Sequence, residues 1–255
     1  MAEMNQQQAR TAALNSARAD AVRQVAGVKI QSETFRVQTE TTEGKYVAIV
    51  QDSFASVNRD VSYGHVVDEE VIREHAVTLA TVPGKPPQVY YQVKIRAMVA
   101  IEKGDPDPSF QLQVRTNKEL YQENDVMTID LQATQNCYVF VFNLMANDSV
   151  LVLFPNRYLP DNQLNAKTPL HLMPAGFNFH VELLPGFQRA QELIYVVATK
   201  ERYDFAPAWS DDSAVFRTAL AAGFASIELP RWLANIPPDK RTDRVIRYEI
   251  YRPSN

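Results

Sequence analysis

Cysteine is almost missing from this chain. The single Cys137 rules out an intramolecular disulfide, and with no Cys-x-x-Cys pair neither a zinc ribbon nor a thioredoxin-like site can form. The eight glycines never fall two apart, which removes the glycine-rich phosphate cradle of nucleotide-binding loops. Only four histidines occur, His65, His75, His171 and His180, and none has H-x-H or H-E-x-x-H spacing. Basic residues are in deficit, 26 Lys and Arg against 30 Asp and Glu, so the net charge of −4 argues against nucleic acid as a partner. Long apolar runs are absent as well. The longest, Cys137–Phe142 and Leu193–Ala198, have six residues each, far short of the roughly 20 needed for a membrane-spanning helix. The N-terminus is polar and lacks the apolar stretch of a secretory leader, so the chain is either cytoplasmic or its leader has been removed.

What is present is mostly β-pattern. Asn136–Asn156 holds two apolar runs, Cys137–Leu144 and Val150–Phe154, around the polar turn Ala146-Asn147-Asp148-Ser149. Both runs are short, with many β-branched and aromatic residues. They predict a hairpin buried on both faces at the centre of a core. Cys137 inside it reads as a small hydrophobe rather than a reactive thiol.

Upstream, residues 6–26 predict a helix, with Leu14, Ala17, Ala21 and Val25 on the apolar stripe, Arg10, Arg18, Asp20 and Arg23 on other faces, and Gly27 as its stop. A strand over 28–38 and a second helix over 45–59 follow. A long strand over 63–81 comes next, then the breaker Pro83–Pro87. Val89–Ile101 alternates strictly, with Tyr91, Val93, Ile95, Ala97 and Val99 facing one way and Tyr90, Gln92, Lys94 and Arg96 the other. Gly104-Asp105-Pro106-Asp107-Pro108 can continue neither helix nor strand and marks a domain boundary.

Beyond it come at least seven short strands separated by turn chemistry, a helix over 210–222, a helical turn opened by Pro230, and a last strand over 245–251. The expected class is α+β. A small antiparallel sheet with two helices on one face (residues 1–103) precedes an immunoglobulin-like antiparallel β-sandwich with a helical C-terminal addition (residues 109–255).

Several stretches match known families in order. CYVFVFNLMANDSVLVLFPN, YLPDNQLNA, PLHLMPAG, ELIYVVATKERYDF and the tail RWLANIPPDKRTDRVIRYEI resemble the domain of unknown function 4384, found in bacterial envelope and secreted proteins. ARADAVRQVAGVKIQSET, SFASVNRDVSYGHVVDEEVI and VYYQVKIRAMVAI resemble the N-terminal domain of the flagellar assembly protein T; that protein's middle and C-terminal domains are not matched. The resemblances imply an exported envelope protein, periplasmic or outer-membrane-associated, and bring no catalytic residue.

No catalytic constellation assembles from the residues themselves. His171 with His180 could share a metal, and His65 and His75 beside Asp68, Glu69 and Glu70 could form an acidic cluster, but exposed strand faces are the simpler reading of both. Asp105 and Asp107 lack the series of ligands a calcium loop needs. Two surfaces stand out. One is the long polar loop after Phe154, with Asn156, Arg157, Tyr158, Asp161 and Asn162. The other is the wet face of Val89–Ile101, with Tyr90, Lys94 and Arg96, which at a sheet edge could accept a partner strand. The leading expectation is a non-enzymatic scaffold of a cell-surface complex that uses no cofactor. Its partners would be proteins of an envelope, secretion or motility assembly, or a second copy of the chain. A glycan- or peptidoglycan-binding module is the alternative; a hydrolase with a site built from distant residues is third.

Overall fold

The computed structural model describes residues 6–26, 64–78, 89–147, 149–156, 159–172, 179–205, 217–219 and 225–253. The chain divides into two compact units, Glu3–Glu102 and Lys103–Asn255. The strand expected over 28–38, the helix over 45–59 and the Pro83–Pro87 connection lie outside the described residues.

In the first unit, α1 (Gln6–Ala26) lies along an antiparallel hairpin of β1 (Gly64–Thr78) and β2 (Val89–Ile101). Val22 packs on Val66, Ala97 and Val99. Gly64 belongs here for want of room: a Cβ on it would sit 2.9 Å from the Ala100 carbonyl oxygen. β2 alternates as expected, whereas β1 carries bulges at Val67 and Ile72, each shifting the register by one residue.

The helix presents a different face from the one its alanines suggest. Thr11, Leu14, Asn15, Arg18, Ala19 and Val22 are buried, while Val25 is 52 % exposed. Arg18, expected on a solvent face, is buried instead. Its Nε and Nη2 donate to both Glu69 oxygens at 2.8 and 2.6 Å, and its Nη1 donates to Asn15 Oδ1 at 2.8 Å. Apolar periodicity misplaces this face because the fork-to-fork pair, not side-chain hydropathy, sets the helix rotation.

The second unit runs β3 (Leu112–Thr116), β4 (Leu120–Gln122), β5 (Val126–Met127), β6 (Ile129–Ala133), β7 (Cys137–Leu144), β8 (Val150–Phe154), β9 (Gln163–Leu164), β10 (Leu170–His171), β11 (Phe179–His180), β12 (Arg189–Thr199), β13 (Arg217–Ala219), α2 (Ala225–Ala234), a 3₁₀ turn Pro238–Lys240, and β14 (Arg241–Tyr251). The main sheet has the order β13-β8-β7-β12-β14-β4, with β9 added beside β7. Two small sheets, β10-β6-β3 and β11-β5, supply a second layer. Val139, Val141, Ile194, Val196, Ala198 and Ile250 of the main sheet share one core with Leu112, Met127, Ile129, Leu131, Val181 and their neighbours. On the opposite face Phe140 and Phe142 meet Trp232 of α2, at ring-centroid distances of 4.9 and 6.1 Å, and Phe205 joins them. The unit therefore has three layers, small sheets, main sheet and helix. That is why β7 reads as an apolar run broken only at Asn143: both of its faces are covered.

Turn chemistry explains the corners. Leu184–Phe187 closes on a 3.0 Å hydrogen bond with Pro185 second and Gly186 third at φ +85°, the arrangement of a type II turn. In the central hairpin the Asn147 side chain accepts from the Ser149 N–H at 3.1 Å.

Three expectations need correction. The unit is not a purely antiparallel two-layer sandwich: β4 runs parallel to β14, and α2 covers the outer face of the main sheet. Arg217–Ala219, expected inside a helix, is a strand paired with Val150–Val152, because the open edge of β8 offers backbone partners that local helix propensity does not outweigh. Pro230 sits within α2 rather than opening it; the helix begins at Ala225.

Candidate functional site

The outer face of the β1–β2 hairpin is built by alternation. β2 exposes Gln92, Lys94, Arg96 and Met98 on this face, and the register sets His75, Arg73, Glu70 and Asp68 opposite them. Arg96 pairs with Glu70 at 2.6 Å, both side chains mostly in solvent, so the pair adds under about 1 kcal/mol. Lys94 and Arg73 face each other directly, a like-charge juxtaposition that works against the hairpin. Met98, beyond Arg96 on the same face, is 63 % exposed, and Ile72 protrudes at its bulge, 43 % exposed. Lys94 and Arg96 thus belong to one surface, and the structure adds Arg73 and Met98 to it. The side chain of Tyr90 is outside the described residues.

The loop after Phe154 is held by its own side chains. Asn156 Nδ2 donates to the Leu153 carbonyl at 2.8 Å, and its Oδ1 accepts from the Leu159 N–H at 2.9 Å. Asp161 accepts from the Gln163 N–H, and Asn162 Nδ2 donates to the Val139 carbonyl. Asn156 and Asn162 thus fasten the loop to β8 and β7, and Asp161 closes a turn within it. Arg157 and Tyr158 lie outside the described residues.

The histidines do not converge. His65 and His75 sit at opposite ends of β1, on the order of 30 Å apart at strand rise. Buried His65 pairs with Glu102. His171 pairs with Asp130, while His180 donates to the Asn124 carbonyl on another sheet. Among the described residues no group of three His, Cys, Asp or Glu could hold a metal. Asp107 is held by the Lys200 ammonium and by Ser109, which keep its carboxyl well below the usual range. Burial pushes the Cys137 thiol up to about 11 from 9.0. The thiolate is then about 100-fold scarcer than for an ordinary cysteine, and iodoacetamide labelling of the folded protein at pH 8 should be slower by at least that factor. Labelling at the rate of the urea-unfolded chain would contradict this.

One buried polar cluster was not apparent from the sequence. Glu192, Asn143 and Tyr248, on the adjacent strands β12, β7 and β14, are all buried and point into the layer between the sheets. Glu192 Oε2 lies 2.7 Å from the Tyr248 hydroxyl and 2.9 Å from Asn143 Nδ2, and the hydroxyl lies 3.0 Å from Asn143 Oδ1. The tyrosine has one proton for two acceptors. With Glu192 protonated the ring closes: Glu192 donates to Tyr248, Tyr248 to Asn143 Oδ1, and Asn143 Nδ2 back to Glu192. Burial is the main force raising the Glu192 carboxyl, and the bonds from Tyr248 and Asn143 only partly oppose it. Burial, with Glu192 beside it, holds the Tyr248 phenol well above its usual value. The ring ties three strands together. Strand parity was the available signal, since Glu192 shares its face with Ile194, Val196 and Ala198.

Residues 120–202, from β4 to just past β12, match the family model described as "Domain of unknown function (DUF4384)". The match takes in the central hairpin, the loop after it and Glu192. No curated protein matches the chain.

Proposed function

We propose that this protein is a non-catalytic scaffold or assembly component of a bacterial envelope complex, working through protein–protein contacts at the periplasm or the outer membrane. The resemblance of its N-terminal unit to the flagellar assembly protein T domain, together with the DUF4384 match of the C-terminal unit, supports an envelope setting. Among the described residues no helix is long and apolar enough to cross a membrane. The observation that carries the contact reading is the outer face of the hairpin. Lys94 opposite Arg73, on the same face as exposed Met98, weakens the isolated protein, and an acidic partner seated there would offset the repulsion.

Lys94→Glu separates the two roles. It places a carboxylate opposite Arg73 and should raise the stability of the isolated chain by about 0.2–1 kcal/mol. The same change should abolish co-elution of the protein with a high-mass envelope complex on size exclusion of detergent extracts. Unchanged co-elution of a folded Lys94→Glu protein would contradict the proposal.

A further inference from the structure

A groove of about 450 Å³ runs beside β3, lined by the five consecutive residues Gln111–Arg115 and by Arg244 of β14. Its backbone chemistry follows from the strand registers. The Thr134 N–H bonds the Gln111 carbonyl at 3.0 Å, which makes Gln111, Gln113 and Arg115 the positions hydrogen-bonded toward β6. The N–H and C=O groups of Leu112 and Val114 then point the other way, and β3 is the edge of its sheet. On the far side, bonds from Lys200 N–H to the Lys240 carbonyl and from Glu249 N–H to the Glu119 carbonyl turn the Val245 backbone outward, and β4 covers β14 only at Glu249–Tyr251. Two strand edges with unfilled donors and acceptors border the same slot.

Its charge is equally specific. Arg10, Arg18, Arg96, Arg189, Arg231 and Arg252 each hold a carboxylate. Arg115 and Arg244 have none among the described residues; Arg244 donates only to the Asp243 carbonyl beside it. Asp130, opposite Arg115 in the register, is taken by His171. Arg244 shares its strand face with Tyr248 and Ile250, so it projects toward the small-sheet layer that holds β3.

We infer that this slot binds an extended acidic segment of a partner protein, which adds as a strand along β3 and places carboxylates on Arg115 and Arg244. A free anion would use the guanidinium groups and leave the alternating backbone carbonyls unmatched; a peptide backbone matches both. The inference deepens the assembly reading, and rests on it only in taking the partner to be a protein.

The test uses the whole chain and a fluorescein-labelled peptide of roughly seven residues alternating glutamate with valine, read by fluorescence anisotropy. Three results are expected. The peptide binds and protects the Leu112 and Val114 amides from exchange; Arg115→Glu with Arg244→Glu weakens binding roughly tenfold or more; N-methylation of alternate peptide amides removes it. Val114→Pro deletes an outward N–H without touching the β6 ladder and should act like the methylated peptide. If that variant fails to fold, the methylated peptide makes the same test on the unaltered chain. Binding that survives N-methylation, binding of a lysine–valine peptide at equal strength, or no binding would overturn the inference. None of these outcomes bears on the Lys94→Glu result, so the two readings can fail separately.

Discussion

Glu192→Gln should stabilise the C-terminal unit at pH 8 and leave it nearly unchanged at pH 4. The folded state raises this carboxyl above its ordinary value of 4.5, chiefly by burial. Between that value and the raised one the folded chain holds a proton that the unfolded chain has released. Stability therefore falls as pH rises through the window, and the loss is complete above the folded-state value. Glutamine has no proton to lose and keeps an oxygen to accept from Tyr248 and Asn143. The gap between variant and parent should open from about pH 4.5 upward and then level off. Urea melts followed by tryptophan fluorescence report on this unit, because Trp209 and Trp232 both lie within it. Glu192→Ala serves as the contrast. It strands the Asn143 amide and the Tyr248 hydroxyl in the core and should cost about 1–3 kcal/mol at pH 4, a deficit that narrows at higher pH because alanine has no carboxyl to ionise. A Gln variant less stable than the parent at pH 8 would mean that the fold favours the ionised form of Glu192 over the protonated one.

Breaking the other buried cluster should have the larger effect. Glu69→Ala takes from the Arg18 guanidinium, itself only 4 % exposed, the carboxylate that its Nε and Nη2 grip. Removing one partner of a buried pair costs about 3–5 kcal/mol, whereas replacing both by apolar groups is close to neutral. Glu69→Ala should thus melt α1 from the hairpin, while Arg18→Met combined with Glu69→Leu should restore the contact. Amide exchange at Val66 and Val99, beneath the helix, reads this unit separately from the tryptophans. If Glu69→Ala leaves those amides protected, the pair is not what seats the helix.

Both clusters show where sequence reading stops. Hydrophobic period marks β2 and the β7–β8 hairpin clearly, because there side-chain burial and backbone period agree, whereas for α1 it finds the helix but not the buried face. Arg18 defeats it: a charged residue on an alanine-rich helix reads as solvent-facing, and the carboxylate it grips lies 51 positions away in the sequence. Glu192 directly precedes the run Leu193–Thr199 and looks like its polar boundary, although parity with Ile194 turns it inward. The strand at Arg217–Ala219 and the parallel β4–β14 pair are products of distant edges meeting, which no local pattern encodes. Of the two surfaces singled out beforehand, Lys94 and Arg96 stand on a face with an unbalanced charge. Asn156, Asp161 and Asn162 instead hold their own loop in place. Arg115 and Arg244 gave no local signal at all, since only the approach of β3 to β14 brings them to one groove.

The most direct test of a contact role is photo-crosslinking along one strand in living cells. A benzophenone amino acid would replace Gln92, Arg96 or Met98 on the outer face of β2, and Val93 or Ile95 on the face toward α1. The three outer positions should capture one common partner protein, and the two inner ones only the chain itself. Equal capture from both faces, or none from the outer one, would contradict a hairpin that works by its exposed side.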